Sequence, residues 1–140
     1  LDGKLGERFI HRPEDVARRL AAFELRPDAE GRYRVNECYC HDTTWQLALA
    51  ELLRSSDVVL MDLRNFVAAN KGCLYELETL SNVPGLKRVV VLVNDRTEIA
   101  AAQAATASAP AGRFVWLAQQ GDTPPATDQV LAPLFAPAAP

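Results

Sequence analysis

The stretch SDVVLMDLRNFVAANKGCLYELETLS, residues 56–81, decides the fold class of this chain. Its first part, residues 57–63, is short, apolar and rich in β-branched residues, which is typical of a strand covered on both faces of a sheet. After a polar loop, apolar residues recur at helical spacing over about residues 70–80. A strand, a loop and a helix in this order place functional groups at the carboxyl end of a parallel sheet.

The rest of the chain continues this alternation of strands and helices. Apolar strands are predicted at residues 88–94 and 114–118, a less buried strand at 33–40 and a weak one within 5–10. Helices are predicted at about residues 13–25, 45–54, 98–107 and 127–135, the last interrupted or ended at Pro133. The expected fold is an α/β three-layer, flavodoxin-like sandwich with a mainly parallel sheet of four or five strands.

Length and composition favour one globular domain. The chain has 140 residues, of which 49% are hydrophobic and 24% charged, and its net charge is -3. No positive field therefore attracts nucleic acid, and no apolar run approaches the roughly 20 residues of a membrane-spanning helix. We expect a domain at residues 1–135 and the start of a linker at 136–140, in a piece cut from a longer protein. The three cysteines are an odd number and lack the spacing of small disulfide-bonded domains, which predicts free thiols. Free thiols indicate a cytoplasmic location, either for this chain alone or as the soluble part of a larger protein.

Polar side chains follow the predicted strands, and the carboxyl ends of parallel strands share one edge of a sheet. The candidate binding residues are His11, His41, Asp42, Asp62, Arg64, Asn65, Asn70 and Lys71, and the candidate catalytic residue is Glu76. No glycine-rich phosphate loop is present, so a nucleotide would be held by loop amides, helix amino ends and cations.

Glu76 lies at the border of an apolar helical stripe. With 100° between successive residues, Cys73, Leu77 and Leu80 share one face, and Glu76 sits at its margin. A carboxylate there can lean into the crevice at the mouth of the sheet. The alternative is a surface acid near a helix amino end, stabilised by the helix dipole.

Two short segments carry a resemblance to a known family. Residues 65–67 (NFV) and 73–77 (CLYEL) are similar to the part of Toll-receptor-type (TIR) domains in which an apolar strand leads to an asparagine–phenylalanine–valine-like turn and a Trp-Cys-x-x-Glu-Leu helix start. Residues 9–15 and 113–116 resemble the first and third conserved boxes of that family. Gly72 stands where the family usually has tryptophan.

The resemblance implies an activity for Glu76. In enzymatic TIR domains the motif glutamate serves cleavage of the nicotinamide–ribose bond of NAD, which makes NAD a candidate substrate. Nucleoside deoxyribosyltransferases, which use such a glutamate as nucleophile, also resemble this chain through an aspartate that ends a strand and the Gly-x-x-x-Glu spacing of Gly72 and Glu76. Both resemblances imply an N-glycosidic bond, whose cleavage builds positive charge on the sugar that a carboxylate can stabilise.

Other interpretations stay open. The rival function is a non-catalytic regulatory or interaction module that self-associates, so whether the chain is an enzyme is undecided.

Asp62 also resembles the phosphoacceptor of response-regulator receiver domains, but the lysine expected at the last strand is absent. In the alternative interpretation, the Asp62 carboxylate accepts backbone N–H bonds from the following loop. Cys38, Cys40 and His41 are residue types that bind metals, but a closed zinc site needs four ligands and no such set is evident. We therefore expect that the two thiols face the core and that the chain holds no metal and no resident cofactor.

Overall fold

The structure, a computed structural model, describes residues 3–137. The chain divides into two compact units, Leu1–Ser55 and Ser56–Pro140. The first contains α1 (Gly3–Gly6), β1 (Phe9–Ile10), α2 (Asp15–Ala21), β2 (Tyr39–Cys40) and α3 (Trp45–Arg54). The second contains β3 (Val58–Asp62), α4 (Lys71–Asn82), β4 (Arg88–Val93), α5 (Ile99–Ala105), β5 (Phe114–Ala118) and α6 (Thr127–Phe135). Part of the predicted linker, residues 138–140, lies outside the described residues.

The α/β class with parallel strands is confirmed. Within residues 3–137 the strands pair as a two-stranded sheet, β1-β2, and a three-stranded sheet, β3-β4-β5, and every pairing is parallel. This differs from the single four- or five-stranded sheet that the sequence predicts. The two strands of the first unit are only two residues long.

The first unit packs around a small apolar cluster. Ile10, Val16 and Ala48 form its buried centre, so β1, α2 and α3 meet there. Cys38 and Cys40 pack against this cluster, as expected for core-facing thiols. Burial, and then the neighbouring Cys38, raise the pKa of the Cys40 thiol.

Two predicted strands of the first unit are mostly wrong. The segment 5–10 forms a strand only at Phe9–Ile10, because α1 occupies its start. The segment 33–40 forms one only at Tyr39–Cys40. Polar groups of this segment form hydrogen bonds that are not those of a β-sheet. Asn36 exchanges hydrogen bonds with the backbone of Glu24, and Arg19 donates to the carbonyl of Glu37. Its alternating apolar residues have no core to face, since the exposed fraction of Val35 is 87%.

The second unit is organised around β4, which lies between β3 and β5. Val89–Val93 is buried throughout, which fits a central strand. Helix α6 packs on this sheet through Val130 and Leu134, which contact Val90 and Leu92. Helices α4 and α5 contact each other.

Strand β3, the first element within residues 56–81, lies at an edge of the three-stranded sheet and is not covered on both faces. Strand β3 pairs only with β4 in this sheet. Met61 is buried, but 49% of Leu60 is exposed. A short apolar run has the same composition at an edge as at a centre, so composition alone misplaced it.

The carboxyl end of α4 is fixed by a buried arginine. Arg113 directly precedes β5, and its Nη1 lies 3.1 Å from the carbonyl oxygen of Leu80, 2.9 Å from that of Ser81 and 3.0 Å from that of Val83. The last carbonyls of a helix lack intrahelical partners, and a cation is favourable there. This contact joins α4 to the amino end of β5.

Residues 3–137 contain no helix with both the length and the apolar character needed to cross a membrane.

Candidate functional site

The loops after β3, β4 and β5 are joined by one polar network at the carboxyl edge of the three-stranded sheet. Strands in a parallel sheet point the same way, so their following loops gather at this edge. The members of the network are Asp62, Arg64, Asn65, Asn94, Arg96, Thr97 and Asp122. Three of them, Asp62, Arg64 and Asn65, are predicted binding residues.

Asp62 and Arg64 form a two-pronged ion pair. Arg64 donates from Nη2 to Oδ2 of Asp62 at 2.6 Å and from Nε to Oδ1 at 2.9 Å. The hydrogen bond from Arg64 lowers the pKa of Asp62. The backbone N–H of Arg64 also donates to Asp62, which confirms the alternative interpretation of this strand-end carboxylate. Arg64 further donates to the carbonyl oxygen of Asp122, at 3.0 Å.

Asp122 binds two further members of the network. Its Oδ1 accepts from Nδ2 of Asn65 at 3.1 Å, and its Oδ2 accepts from Nη2 of Arg96 at 2.9 Å. The hydrogen bond from Asn65, followed by that from Arg96, lowers the pKa of Asp122. Asn65 has a φ of 64°, a left-handed conformation that asparagine tolerates better than most residues. The predicted binding residues of this edge are therefore bonded to one another or to Asp122, and Asp62 and Asn65 are also exposed.

Sequence reasoning missed four members of this network: Asn94, Arg96, Thr97 and Asp122. A usable signal was present. Asn94 ends the apolar run of β4, and Asp122 follows β5 closely, so the strand-end argument that selected Asp62 applies to both. Asn94 is buried, and its Oδ1 accepts from the N–H of Arg96.

The start of α4 contains two predicted binding residues with different surroundings. Asn70 is the helix N-cap, and its Oδ1 accepts from the N–H of Cys73 at 3.2 Å. That bond assigns Asn70 a structural role. Lys71 is exposed, and within the described part of the chain no hydrogen bond or ion pair involves its ammonium group.

Glu76 lies in the second turn of α4 and is half-buried. Burial raises the pKa of Glu76 above its ordinary value. Among residues 3–137 no hydrogen bond or ion pair holds its carboxylate. Burial, and then the charge of Glu76, raise the pKa of the Cys73 thiol one turn earlier. Glu76 is thus a partly desolvated acid without a countercharge.

In the first unit, His11 and His41 come together at the carboxyl ends of β1 and β2. Nδ1 of His11 lies 2.9 Å from Nε2 of His41, and both rings are exposed. The register that pairs Phe9 with Tyr39 and Ile10 with Cys40 brings the two histidines side by side. Asp42, the third predicted residue here, is exposed in the turn that follows β2.

Four cavities of the described structure can be compared with the positions of the predicted residues. One of about 510 Å³ adjoins the end of β5 and the start of α6. Another of about 510 Å³ lies in the first unit, beside the loop at 23–28. Cavities of about 240 and 410 Å³ lie near the amino ends of β3 and β4. None of the four is lined by Glu76 or by the predicted binding residues.

No group of three or more histidine, cysteine, aspartate or glutamate side chains within residues 3–137 is arranged to hold a metal ion. No protein-family model, curated protein or solved structure matches this chain.

Proposed function

We propose that this chain is a TIR-like domain that binds NAD or a related nucleoside or nucleotide and acts on its N-glycosidic bond, with Glu76 as the key carboxylate. The three-layer flavodoxin-like sandwich is part of the same proposal. Two observations support it: the resemblance of residues 65–77 to the TIR motif, and the surroundings of Glu76.

The state of Glu76 is the single observation that carries this proposal. A half-buried carboxylate with a pKa raised by burial and no bonding partner is unfavourable for stability, and such groups occur more often at functional sites than elsewhere. The structural alternative of a helix-stabilising acid is weak for Glu76, because the effect of the helix dipole falls off within the first turn and Glu76 lies in the second turn of α4. The partial burial of Glu76 fits the functional interpretation better.

The chemistry assigns Glu76 a definite role. In hydrolysis of NAD the bond between C1′ of the ribose and the nicotinamide nitrogen breaks, and water supplies the oxygen that bonds to C1′. Positive charge develops on the sugar ring, and a carboxylate already stripped of part of its water stabilises that charge strongly. The raised pKa also suits proton transfer from the attacking water.

A regulatory or self-associating module is the second candidate, and a different observation favours it. The side chains of Asp62, Arg64 and Asn65 already have hydrogen-bond partners within the protein. Large apolar side chains of the second unit are also exposed, among them Leu131 at 46% and Phe135 at 69%. Concentration-dependent association measured by sedimentation, without nucleotide binding, would favour this candidate. A cytoplasmic location belongs to both proposals.

A binding experiment tests the first candidate directly. Amide signals of 15N-labelled protein are followed during titration with NAD, adenosine and 2′-deoxyadenosine. Saturable shifts centred on residues 71–77 are expected, and Glu76→Ala is expected to weaken them. Glu78→Ala, an exposed acid of the same helix, is the matched control. Absence of saturable shifts for all three compounds at millimolar concentration would contradict the proposal.

A further inference from the structure

The two histidines at the carboxyl edge of the two-stranded sheet are a feature that the proposed function does not use. They are the only two histidines of the sequence. Their rings lie 5.1 Å apart between centroids, and their facing nitrogens, Nδ1 of His11 and Nε2 of His41, are 2.9 Å apart. They project from neighbouring parallel strands and not from successive turns of one element.

Buried polar groups fix the backbone at both histidines. Oδ2 of Asp15 accepts from the N–H groups of His11 and Arg12, at 3.1 and 3.0 Å. Thr44, which is 1% exposed, accepts from the N–H of His41 at 3.0 Å and donates to the carbonyl oxygen of Ile10 at 2.7 Å. Thr44 thereby links the ends of β1 and β2 directly. The backbone positions of the two histidines are set by the fold.

Aromatic neighbours restrict the rings further. Phe9 stacks on His11 with 5.4 Å between ring centroids and lies 5.2 Å from the ring of His41. Both imidazoles therefore have the phenyl ring on one side and solvent on another. Side chains held in this way lose less conformational entropy when they bind a ligand.

The separation of the two nitrogens is a hydrogen-bond distance, and it is also close to the spacing of two ligand atoms on one metal ion. Imidazole nitrogens bind divalent transition metals at about 2.0–2.1 Å, and two such ligands at a right angle on one ion are about 2.9 Å apart. In the metal-free protein these nitrogens share one hydrogen bond, which metal binding replaces. Both rings turn towards a common position in the solvent, and the donor nitrogen gives up its proton, which moves to the other nitrogen of that ring or to water. Neutral imidazole suits zinc, nickel and copper, with copper(II) bound most strongly.

We propose that His11 and His41 form an open two-ligand site for a divalent transition-metal ion, with water in the remaining coordination positions. The site differs from a zinc site built on Cys38 and Cys40, whose thiols pack against the core. Two protein ligands make it weaker and more exchangeable than a four-ligand structural site. It rests on the first unit alone, so it stands or fails independently of Glu76.

The test uses chain without a histidine tag, titrated with Ni²⁺, Zn²⁺ and Cu²⁺, with Mg²⁺ as a hard-cation control. The readouts are the imidazole 15N signals for the diamagnetic Zn²⁺ and calorimetry for all four ions. We expect both rings to respond together with one-to-one stoichiometry, and no response to Mg²⁺. His11→Asn and His41→Asn should each weaken binding on the order of 10²-fold, because a second ligand held beside the first raises its effective concentration.

Two further variants separate the histidine pair from other sources of binding. Thr44→Val keeps both imidazoles but removes the hydroxyl that positions His41, and we expect binding about tenfold weaker. A Cys38→Ser, Cys40→Ser double variant should bind the metals as wild type does. Unchanged imidazole signals at a hundredfold excess of Zn²⁺, or binding lost only in the cysteine variant, would overturn the proposal. The imidazole signals of the wild type decide it even if a histidine variant fails to fold.

Discussion

Asn65 and Asn94 hydrogen-bond to each other in both directions across the ends of β3 and β4. The N–H of Asn65 donates to Oδ1 of Asn94 at 3.0 Å, and Nδ2 of Asn94 donates to Oδ1 of Asn65, also at 3.0 Å. Nδ2 of Asn94 also donates to the carbonyl oxygen of Gly121, in the loop after β5. One buried amide thus connects all three loops at the carboxyl edge of the sheet.

Replacing this amide should destabilise the second unit. Asn94→Ala leaves the N–H of Asn65 and the carbonyl of Gly121 without their partner, and we expect a loss of about 2–3 kcal/mol in the free energy of unfolding. Urea unfolding followed by circular dichroism measures it. The control is Asp95→Ala, at the exposed neighbour, with a change within about 0.5 kcal/mol. Equal stability of the two variants would show that Asn94 does not hold the loops.

Removal of the arginine at the end of α4 should also be costly. Arg113→Met keeps most of the side-chain volume but leaves two carbonyls of the last turn of α4 and that of the C-cap residue Val83 without their donor. We expect a loss of about 2–4 kcal/mol, because hydrogen bonds to a charged group contribute more than neutral ones. Hydrogen exchange should become faster at the carboxyl end of α4 first. Unaltered exchange there would contradict this role.

Asp122 should contribute stability that acid removes. Its pKa is lowered in the folded state, so the folded protein binds its proton less readily than the unfolded chain. The contribution is therefore present above the ordinary aspartate pKa of about 3.9 and is lost as the pH falls through the lower folded pKa. Asp122→Asn should be less stable than wild type at pH 7, with a difference that narrows on acidification. Thermal unfolding at several pH values measures it, and a difference that widens in acid would contradict the network.

Glu76 should show the opposite pH dependence. Its pKa is raised in the folded state, so the folded protein favours the protonated acid. Stability is then greatest below the ordinary glutamate pKa of about 4.3 and declines as the pH rises through the higher folded pKa. Glu76→Gln should melt at a higher temperature than wild type at pH 7 and lose that advantage near pH 4. Glu78→Gln is the control. A lower melting temperature of Glu76→Gln at pH 7 would show that the carboxylate has a stabilising partner.

Elements with strong local sequence patterns were predicted well, whereas elements that depend on tertiary packing were predicted poorly. Helix α3 has its predicted bounds because apolar periodicity and the polar residues before Trp45 agree, and β5 has its predicted bounds for its uninterrupted apolar run. Helix α6 continues through Pro133 to Phe135, so the proline lies inside the helix and does not end it. The segment 33–40 alternates like a strand but lacks a core to pack on, and that is a tertiary property.

The candidate site residues also differ in how much of their surroundings the sequence could predict. His11 and His41 are neighbours because parallel strands carry the residues that follow them to one edge of the sheet. Asp62 and Arg64 meet because they are two residues apart at the end of β3. The positions of strand ends in the sequence could not reveal that the residues at the carboxyl edge of the three-stranded sheet would bond to one another. That outcome depends on Asn94 and Asp122, which lie far along the chain from Asp62 and whose partners follow only from the strand register.

The most direct test of the central claim is hydrolysis of an N-glycosidic bond by concentrated protein. NAD and a panel of ribo- and deoxyribonucleosides are incubated with wild type, Glu76→Gln and Glu78→Gln, and the released nicotinamide or base is quantified by chromatography. The account predicts product with wild type and Glu78→Gln, and a decrease on the order of 10²-fold or more with Glu76→Gln, as expected when the group that stabilises transition-state charge is lost. No product from wild type across the panel, or equal product from Glu76→Gln, would contradict it.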